Sequence, residues 1–105
     1  MQLIPVTEQH LSLIEKWHAD KRIYNFLNNG EPIDVALDLN SFPESGPAYA
    51  RIIEHGGSPV GLATFFSKDE YVVNPVYFLD PASQGQGLGK QMVQTVLDFL
   101  AGRGV

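Results

Sequence analysis

The middle of the chain shows the alternation of apolar and polar residues that is typical of β-strands. In residues 48–55 the two faces of the alternation consist of Tyr49, Arg51 and Ile53 against Ala50, Ile52 and Glu54. Residues 60–66 are apolar on both faces, as in a central strand, and the intervening GGSP predicts a hairpin turn. Residues 71–80 predict a third strand, in which Pro75 either marks a bulge or precedes a paired part that begins at Val76.

Apolar residues with helical spacing lie on both sides of this strand region. After Thr7, a predicted N-cap, they recur every three to four positions and predict a helix that ends by Asp20. Pro32, after the breaker NNGEP, opens a second short helix that carries Ile33, Ala36 and Leu37. The last helix is predicted over residues 88–100. Its apolar stripe consists of Leu88, Met92, Val96 and Phe99, with Val93, Leu97 and Leu100 beside them.

The first residues of the chain, 2–6, predict a short strand in which Pro5 favours an edge position. The order of elements is therefore β-α-α-β-β-β-α. This order predicts an α+β (mixed α/β) fold with an antiparallel meander of three strands. A chain of 105 residues has room for one domain of this kind, spanning residues 1–105.

Charge and composition narrow the classes of function. Seven Lys and Arg residues against twelve Asp and Glu give a net charge of −5, which argues against nucleic-acid and anionic-membrane partners. The lack of cysteine excludes disulfides, thiolate zinc sites and a cysteine nucleophile, and the three histidines have no metal-site spacing. The sequence has neither a signal-peptide pattern nor an apolar run of about 20 residues. We therefore expect a cytoplasmic protein that binds no metal.

The stretch SQGQGLGKQM, residues 83–92, places three alternating glycines directly before the last helix. Helix N-termini attract anions, and glycine permits close approach of the backbone to a ligand. The nucleoside-triphosphate pattern G-x-x-x-x-G-K-[ST] fails, because Gln84 and Gln91 stand where it needs Gly and Ser or Thr. The dinucleotide pattern G-x-G-x-x-G fails as well, because its third glycine falls on Lys90 or Met92. A simple turn and helix cap is the alternative to an anion site.

A third pattern fits this loop. Residues 84–89, Gln-Gly-Gln-Gly-Leu-Gly, match Q/R-x-x-G-x-G/A, and residues 79–81, Leu-Asp-Pro, resemble the V-x-P that ends the strand before it. With this motif and this order of elements, the chain resembles the GCN5-related N-acetyltransferases, the GNAT superfamily. The resemblance covers nearly the whole chain, and its specific motif occupies residues 79–90.

The resemblance implies that acetyl-CoA is the co-substrate. Amides of residues 85–90 would bind the pyrophosphate of coenzyme A, and the main chain of residues 77–79 would pair with its pantetheine arm as an added strand does. The predicted binding residues are Tyr77, Phe78, Leu79, Gln84, Gly85, Gln86, Gly87, Leu88, Gly89 and Lys90. Side chains at Gly87 and Gly89 would obstruct the approach of the pyrophosphate. Lys90 would act through its amide, and its side chain would either contact a phosphate or stay solvated.

The implied reaction transfers an acetyl group to a primary amine by direct attack on the thioester. A strand amide, that of Phe78 or Leu79, would polarise the carbonyl. Glu54 is the candidate general base, and the alternative is an ordinary solvent-facing strand residue. The acceptor would be a small-molecule or peptide amine, and residues 17–32 lie where the family's acceptor loop runs. The acidic chain suits a cationic acceptor.

The sequence departs from the family pattern at its end. A GNAT fold continues with a fifth strand, a fourth helix and a hairpin, whereas this sequence stops at Val105. We therefore expect a fold truncated before the fifth strand. Its open sheet edge and the apolar face of its last helix favour a homodimer. Two alternatives to an enzyme stay open: a non-catalytic acyl-CoA-binding or regulatory module, and a structural fragment that dimerises through its open edge.

Overall fold

Four strands form one antiparallel sheet in a computed structural model that describes residues 1–27, 30, 42, 48–67, 73–85 and 87–102. The strands lie side by side in sequence order and are β1 (Gln2–Pro5), β2 (Ala48–His55), β3 (Ser58–Ser67) and β4 (Val73–Leu79). The predicted meander is confirmed, and β1 extends it by pairing with β2. Pro5 closes β1 at the outer edge of the described sheet, as its missing N–H requires.

Within the described ranges three helices accompany the sheet and are α1 (Glu8–Ala19), α2 (Lys21–Leu27) and α3 (Leu88–Gly102). Thr7 is the N-cap of α1, as predicted, and its N–H donates to His10 Nδ1 at 3.0 Å. Asp20 ends this helix with an N–H bond to the carbonyl oxygen of Trp17, at 3.0 Å. The predicted boundaries of α1 and the start of α3 are therefore confirmed, and the order β-α-α-β-β-β-α holds.

The structure contains a helix, α2, where the sequence predicted none. Asp20 starts it, because its carboxylate accepts a bond from Arg22 N at 2.9 Å and its carbonyl accepts bonds from the N–H groups of Ile23 and Tyr24. These bonds satisfy the free amides of a helix N-terminus, so the aspartate that ends one helix caps the next. The helix predicted to open at Pro32 lies outside the described residues.

Pro75 lies within the regular pairing of β3 with β4, which neither of the two alternatives from the sequence predicted. The pairing of β3 with β4 runs without a register shift from Ser67 opposite Val73 to Gly61 opposite Leu79, and Pro75 lies opposite Phe65. The expectation of a bulge, or of pairing that starts only at Val76, is therefore wrong. Proline is tolerated because β4 is the outer strand of the described sheet, where an N–H can point away from the ladder.

The core lies on both faces of the sheet. On one face the side chains of α1 and α2 pack against alternate strand residues: Ile14, Trp17 and Ile23 contact a cluster with Ala50, Ile52, Leu62 and Phe78. On the other face α3 packs with Val96 and Leu100 against Tyr49, Ile53, Ala63, Phe65 and Leu79. The predicted alternation of β2 is thus confirmed. In β4, Phe78 packs into the cluster on the side of α1 and α2, and Leu79 packs into the cluster on the side of α3. Val93 and Leu97 of α3 stay 40% and 54% exposed.

Candidate active site

Among the described residues, no strand pairs with the outer edge of β4. Asp80 N donates to Val60 O, which continues the β3–β4 ladder by one position. In an antiparallel pair, alternate residues turn both main-chain groups toward the partner strand. Phe78, two residues before Asp80, therefore faces β3, whereas Tyr77 and Leu79 face the open edge. Of the two amides predicted to polarise a carbonyl, that of Leu79 has the required direction and that of Phe78 is turned to β3.

A cleft of about 290 Å³ lies along this edge of β4. Its lining residues are Arg22, Ile23, Tyr77, Phe78, Leu79, Gln84 and Met92. The structure thus brings together four of the residues that the sequence predicted, all from the end of β4 and the following loop. The other three come from α2 on one side and α3 on the other. The cleft is mainly apolar, with the guanidinium of Arg22 as the charged group among its lining residues.

The chain leaves β4 through a short 3₁₀ turn, Pro81–Ser83, which is fixed at both ends. At its start the Asp80 carboxylate accepts a bond from Ala82 N at 2.8 Å. At its end the Gln84 side chain reaches back, and its Nε2 donates to the carbonyl oxygen of Leu79 at 3.0 Å. Gln84 was predicted as a cofactor ligand, and in this structure it also holds the loop against the end of the strand.

The glycines of the loop have two different environments. Gly85 and Gly87 adopt φ angles of +80° and +75°, which favour glycine over other residues. Gly89 lies within the first turn of α3 and has no positive φ. Apart from its chain neighbours and the backbone of its own helix, a Cβ built on any of the three meets no atom of the described residues within 4 Å, so the space beside them is open. Gln86 lies outside the described residues.

The N-terminal part of α3 favours an anion. This helix has 15 residues, so its dipole and free amides are those of a full-length helix. The sequence from Pro81 to Leu97 contains no acidic residue and includes Lys90, although the chain carries twelve acids. Leu88 is half-buried and packs against the cluster that contains Val96 and Leu100, whereas Lys90 is exposed. No carboxylate between Pro81 and Leu97 therefore opposes an anion at this helix N-terminus, and the Asp80 carboxylate before it is bonded to Trp17 and Ala82.

A model of the acetyltransferase (GNAT) family matches residues 8–105. The chain belongs to the GNAT acetyltransferase family. The match includes the cleft and the loop, and it accords with the mixed α+β architecture. A search among curated proteins found no match.

The rim of the cleft in this GNAT domain carries an ion pair between Arg22 and Asp20. Arg22 Nε and Nη2 donate to the two carboxylate oxygens of Asp20 at 3.1 and 2.9 Å. These hydrogen bonds lower the pKa of Asp20 and raise the pKa of Arg22, and the charge of Asp80 raises the pKa of Arg22 further. Both partners are solvent-accessible, so the pair contributes little to stability. It does hold the Arg22 guanidinium in one orientation at the side of the cleft.

Glu54, the candidate base, lies at the hairpin end of β2. Gln2 Nε2 donates to Glu54 Oε1 at 2.6 Å, which ties this carboxylate to the pairing of β1 with β2. Glu54 is not one of the residues that line the cleft beside β4. Since β3 lies between its strand and β4, a direct role in proton transfer requires the amine to reach across the end of the sheet.

Gly61 fixes how closely β3 approaches the end of β4. A Cβ built on this residue would overlap the carbonyl oxygen of Phe78, and it would lie 3.2 Å from Leu79 Cα. The register of β2 with β3 shifts at this point, because Glu54 pairs with Pro59 while Ile53 pairs with Gly61. The extra residue, Val60, is a β-bulge, and its carbonyl accepts the N–H of Asp80.

Sequence reasoning missed the residues that reach the GNAT cleft from the helices. Met92 was assigned to the apolar stripe of α3, and Arg22 and Ile23 to a loop, because the N-terminus of α2 was not recognised. The aspartate before a lysine-arginine pair was the available signal, since aspartate is a preferred helix cap. Asp80, directly before Pro81, carried a comparable turn signal.

Two further searches concern only the described part of the chain. Among those residues, no group of three or more His, Asp or Glu side chains is placed to hold a metal ion. No helix in the described ranges is long and apolar enough to cross a membrane.

Proposed function

We propose that this GNAT domain binds acetyl-CoA along the open edge of β4 and transfers its acetyl group to a primary amine. The observation that most directly supports this proposal is that an open strand edge, a cleft and a glycine-rich loop all lie at the end of β4. The main chain of Tyr77 and Leu79 forms that edge, and Gly85 and Gly87 lie directly before the N-terminus of α3. Membership of an acetyltransferase family supports this assignment of the site.

The pyrophosphate of the substrate is assigned to the loop and the first turn of α3. The amides of residues 85–90 provide hydrogen-bond donors, and the helix dipole favours the negative charge. Gly89 has neither a positive φ nor a protein neighbour that would exclude a Cβ, so nothing within the described chain demands glycine there. Close approach of a ligand supplies a reason for it.

The pantetheine arm is assigned to the main-chain groups of β4 that face the open edge. Tyr77 offers an N–H and a carbonyl, and Leu79 offers an N–H. The Leu79 carbonyl already accepts the Gln84 side chain. An extended arm with its own amides can pair with such an edge as an additional strand would. The apolar lining from Ile23, Phe78 and Met92 suits the methylene groups between those amides.

The reaction is direct attack of the neutral amine nitrogen on the thioester carbonyl. The Leu79 N–H, at the open edge, is the donor that stabilises the charge developing on the carbonyl oxygen. The C–N bond forms, the C–S bond breaks, the nitrogen loses one proton, and the leaving thiolate takes one up. The domain contributes by holding the thioester in one orientation beside the amine. No covalent enzyme intermediate is required.

The acceptor amine is proposed to enter from the α2 side of the cleft. The Asp20–Arg22 pair lies there, so an acceptor meets a carboxylate and a guanidinium at the rim. The two charges of the pair compensate each other, so it is the acidic balance of the whole chain that favours a cationic amine.

Calorimetry with CoA and with pantetheine tests the binding site. We expect CoA to bind at least about 100-fold more tightly, since several charge-assisted hydrogen bonds to the pyrophosphate are missing in pantetheine. Equal affinity would contradict the loop assignment. Incubation of acetyl-CoA with a panel of primary amines, followed by detection of free thiol and acetylated amine, then tests the reaction. Binding without turnover would identify an acyl-CoA-binding module, and the lack of both would identify a structural domain.

Dimerisation stays a prediction. Its basis is the exposed Val93 and Leu97, one turn apart on α3, together with the part of the β4 edge that is not assigned to the pantetheine arm, residues 73–76. Sedimentation at micromolar concentration, with Leu97→Glu as the matched variant, tests it. A wild-type chain that sediments as a monomer would contradict the prediction.

A further inference from the structure

We infer that Trp17 is a positioning residue for the CoA loop, although it belongs to α1 and is 1% exposed. Its indole Nε1 donates to Asp80 Oδ2 at 2.8 Å, across 63 positions of sequence. The other carboxylate oxygen, Asp80 Oδ1, caps the 3₁₀ turn through Ala82 N. One carboxylate therefore joins the core of α1 to the start of the loop. The inference rests on the proposed function, because the loop is the proposed pyrophosphate site.

The indole fixes the end of β4 from two directions. Its ring packs edge-on against Phe78, with ring centroids 5.7 Å apart and planes at 89°. Phe78 lines the cleft, while Asp80 begins the loop, so Trp17 contacts the two residues on either side of Leu79. The Leu79 amide is the proposed donor to the thioester carbonyl. A side chain that holds both of its neighbours limits the directions that this amide can take.

The hydrogen bond distinguishes this role from ordinary core packing. A buried tryptophan needs a partner for its N–H. A main-chain carbonyl within the core could accept that bond without any effect on the loop. Here the partner is the carboxylate of Asp80, which also accepts the N–H of Ala82 in the 3₁₀ turn. Hydrogen bonds to charged groups are stronger than those between neutral groups. Loss of the indole N–H therefore leaves a half-buried carboxylate oxygen without its donor and loosens the turn.

The experiment compares two variants of α1 that both shrink the core. Trp17→Phe keeps an aromatic ring against Phe78 but removes the N–H, whereas Ile14→Val removes one methyl group from a side chain that is fully buried in the same cluster. Hydrogen exchange of the Ala82 and Ser83 amides is measured for each without ligand. We expect about tenfold faster exchange in Trp17→Phe and unchanged exchange in Ile14→Val, with global stability monitored alongside.

A second variant keeps the test decisive if Trp17→Phe does not fold. Asp80→Asn has one acceptor oxygen, so it can serve the indole or Ala82 N but not both. Trp17 is the single tryptophan of the chain, and its indole N–H resonance reports the contact directly. We expect that resonance to move in Asp80→Asn. If Asp80→Asn changes neither that resonance nor the exchange of the Ala82 and Ser83 amides, the positioning role is wrong.

The CoA dissociation constant separates this inference from the proposed function. We expect Trp17→Phe and Asp80→Asn each to bind CoA about tenfold more weakly than the wild type, and Ile14→Val to bind it equally well. If Trp17→Phe affects neither loop exchange nor affinity beyond the change in Ile14→Val, the positioning role is wrong. If the wild-type chain itself binds no CoA, the proposed function fails, whereas the exchange of the loop amides still decides whether Trp17 orders the loop.

Discussion

The β2–β3 hairpin turn and the loop between β4 and α3 each place two glycines at positive φ. In the hairpin, Gly56 and Gly57 are adjacent, at +61° and +82°, and His55 pairs with Ser58 around them. This is the conformation that a two-residue turn between antiparallel strands requires. In the loop, Gly85 and Gly87 are separated by one residue and lead into a helix beside the cleft.

Crowding inside the protein explains the glycines of neither turn. A Cβ built on Gly56, Gly57, Gly85 or Gly87 meets nothing within 4 Å, so backbone conformation alone accounts for all four. The loop differs from the hairpin in one further glycine. Gly89 lies in α3 without positive φ and with open space beside it, although glycine weakens a helix. A glycine that neither backbone conformation nor crowding explains, such as Gly89, is therefore the better indicator of a bound ligand.

The largest effect is expected for Gly87→Val. A β-branched residue at a φ of +75° is strained, so the loop should leave its conformation and its amides should turn away from the pyrophosphate. We expect the dissociation constant for CoA, measured by calorimetry, to rise by about 100-fold or more. The matched control is Gly57→Val in the hairpin, which carries the same strain. It should lower the free energy of unfolding by about 1–3 kcal/mol and leave CoA affinity unchanged.

Equal loss of affinity in the two variants would show that general destabilisation, and not the loop, decides binding. A Gly87→Val variant that binds CoA as the wild type does would contradict the pyrophosphate assignment itself.

A smaller effect is expected for Gly61→Ala, a glycine that is explained by crowding. Its methyl group would overlap the Phe78 carbonyl oxygen, so β4 must move away from β3. We expect a loss of about 1–3 kcal/mol in the free energy of unfolding. The displacement of Tyr77 and Leu79 should raise the CoA dissociation constant about tenfold. The control is Ala63→Gly, which destabilises the same strand without pushing on β4. Unchanged CoA affinity in Gly61→Ala would argue against an edge that pairs with the substrate.

Local patterns explain why much of the fold could be predicted from the sequence. The alternation of residues 48–55 and the GGSP turn depend on neighbouring residues, and β2 and the hairpin were predicted at their observed positions. The apolar spacing of α1 and α3 is equally local. Helix α2 was missed because one aspartate both ends a helix and begins the next. Pro75 was misjudged because strand order, which sequence does not display, decides whether its missing N–H matters.

The candidate site shows the same division. Residues 77–79 and the loop glycines follow one another in sequence, so a motif could locate them. Whether the Phe78 or the Leu79 amide faces the edge depends on the register with β3, which only the paired structure gives. Trp17 follows the helical apolar spacing that predicted α1, and the structure buries it. Its bond to Asp80 joins positions 63 apart and has no signature in local sequence.

The next smaller effect is expected for Gly89→Ala. Alanine is compatible with the helical backbone at this position, so the free energy of unfolding should stay the same or rise by up to about 1 kcal/mol. A methyl group in the open space should nevertheless hinder the pyrophosphate and raise the CoA dissociation constant about fivefold. Gly102→Ala, at the other end of α3 and equally open, is the control and should leave affinity unchanged. Tighter folding with undiminished CoA affinity in Gly89→Ala would remove the ligand as the reason for this glycine.

The smallest effect on CoA binding is expected at the hairpin side, for Glu54→Gln. A carboxamide oxygen can still accept the bond from Gln2, so the free energy of unfolding should change by no more than about 0.5 kcal/mol. Glu54 does not line the cleft, and the CoA dissociation constant should stay within about twofold of the wild-type value. A larger change would mean that the substrate extends to the hairpin, and the contrast between the two glycine turns would fail.

The pH dependence of kcat/KM then decides whether Glu54 acts on the amine. A general base is active only when deprotonated, so its removal should abolish the limb of the profile that rises with pH and lower the rate by about 100-fold or more. Gln2→Ala is the control, since it removes the hydrogen-bond donor but keeps the carboxylate. An unchanged profile in Glu54→Gln would assign proton removal to another group, and Glu54 would be a structural residue of the β1–β2 pair. Loss of the rising limb in Glu54→Gln, but not in Gln2→Ala, would require the amine to approach across the end of β3.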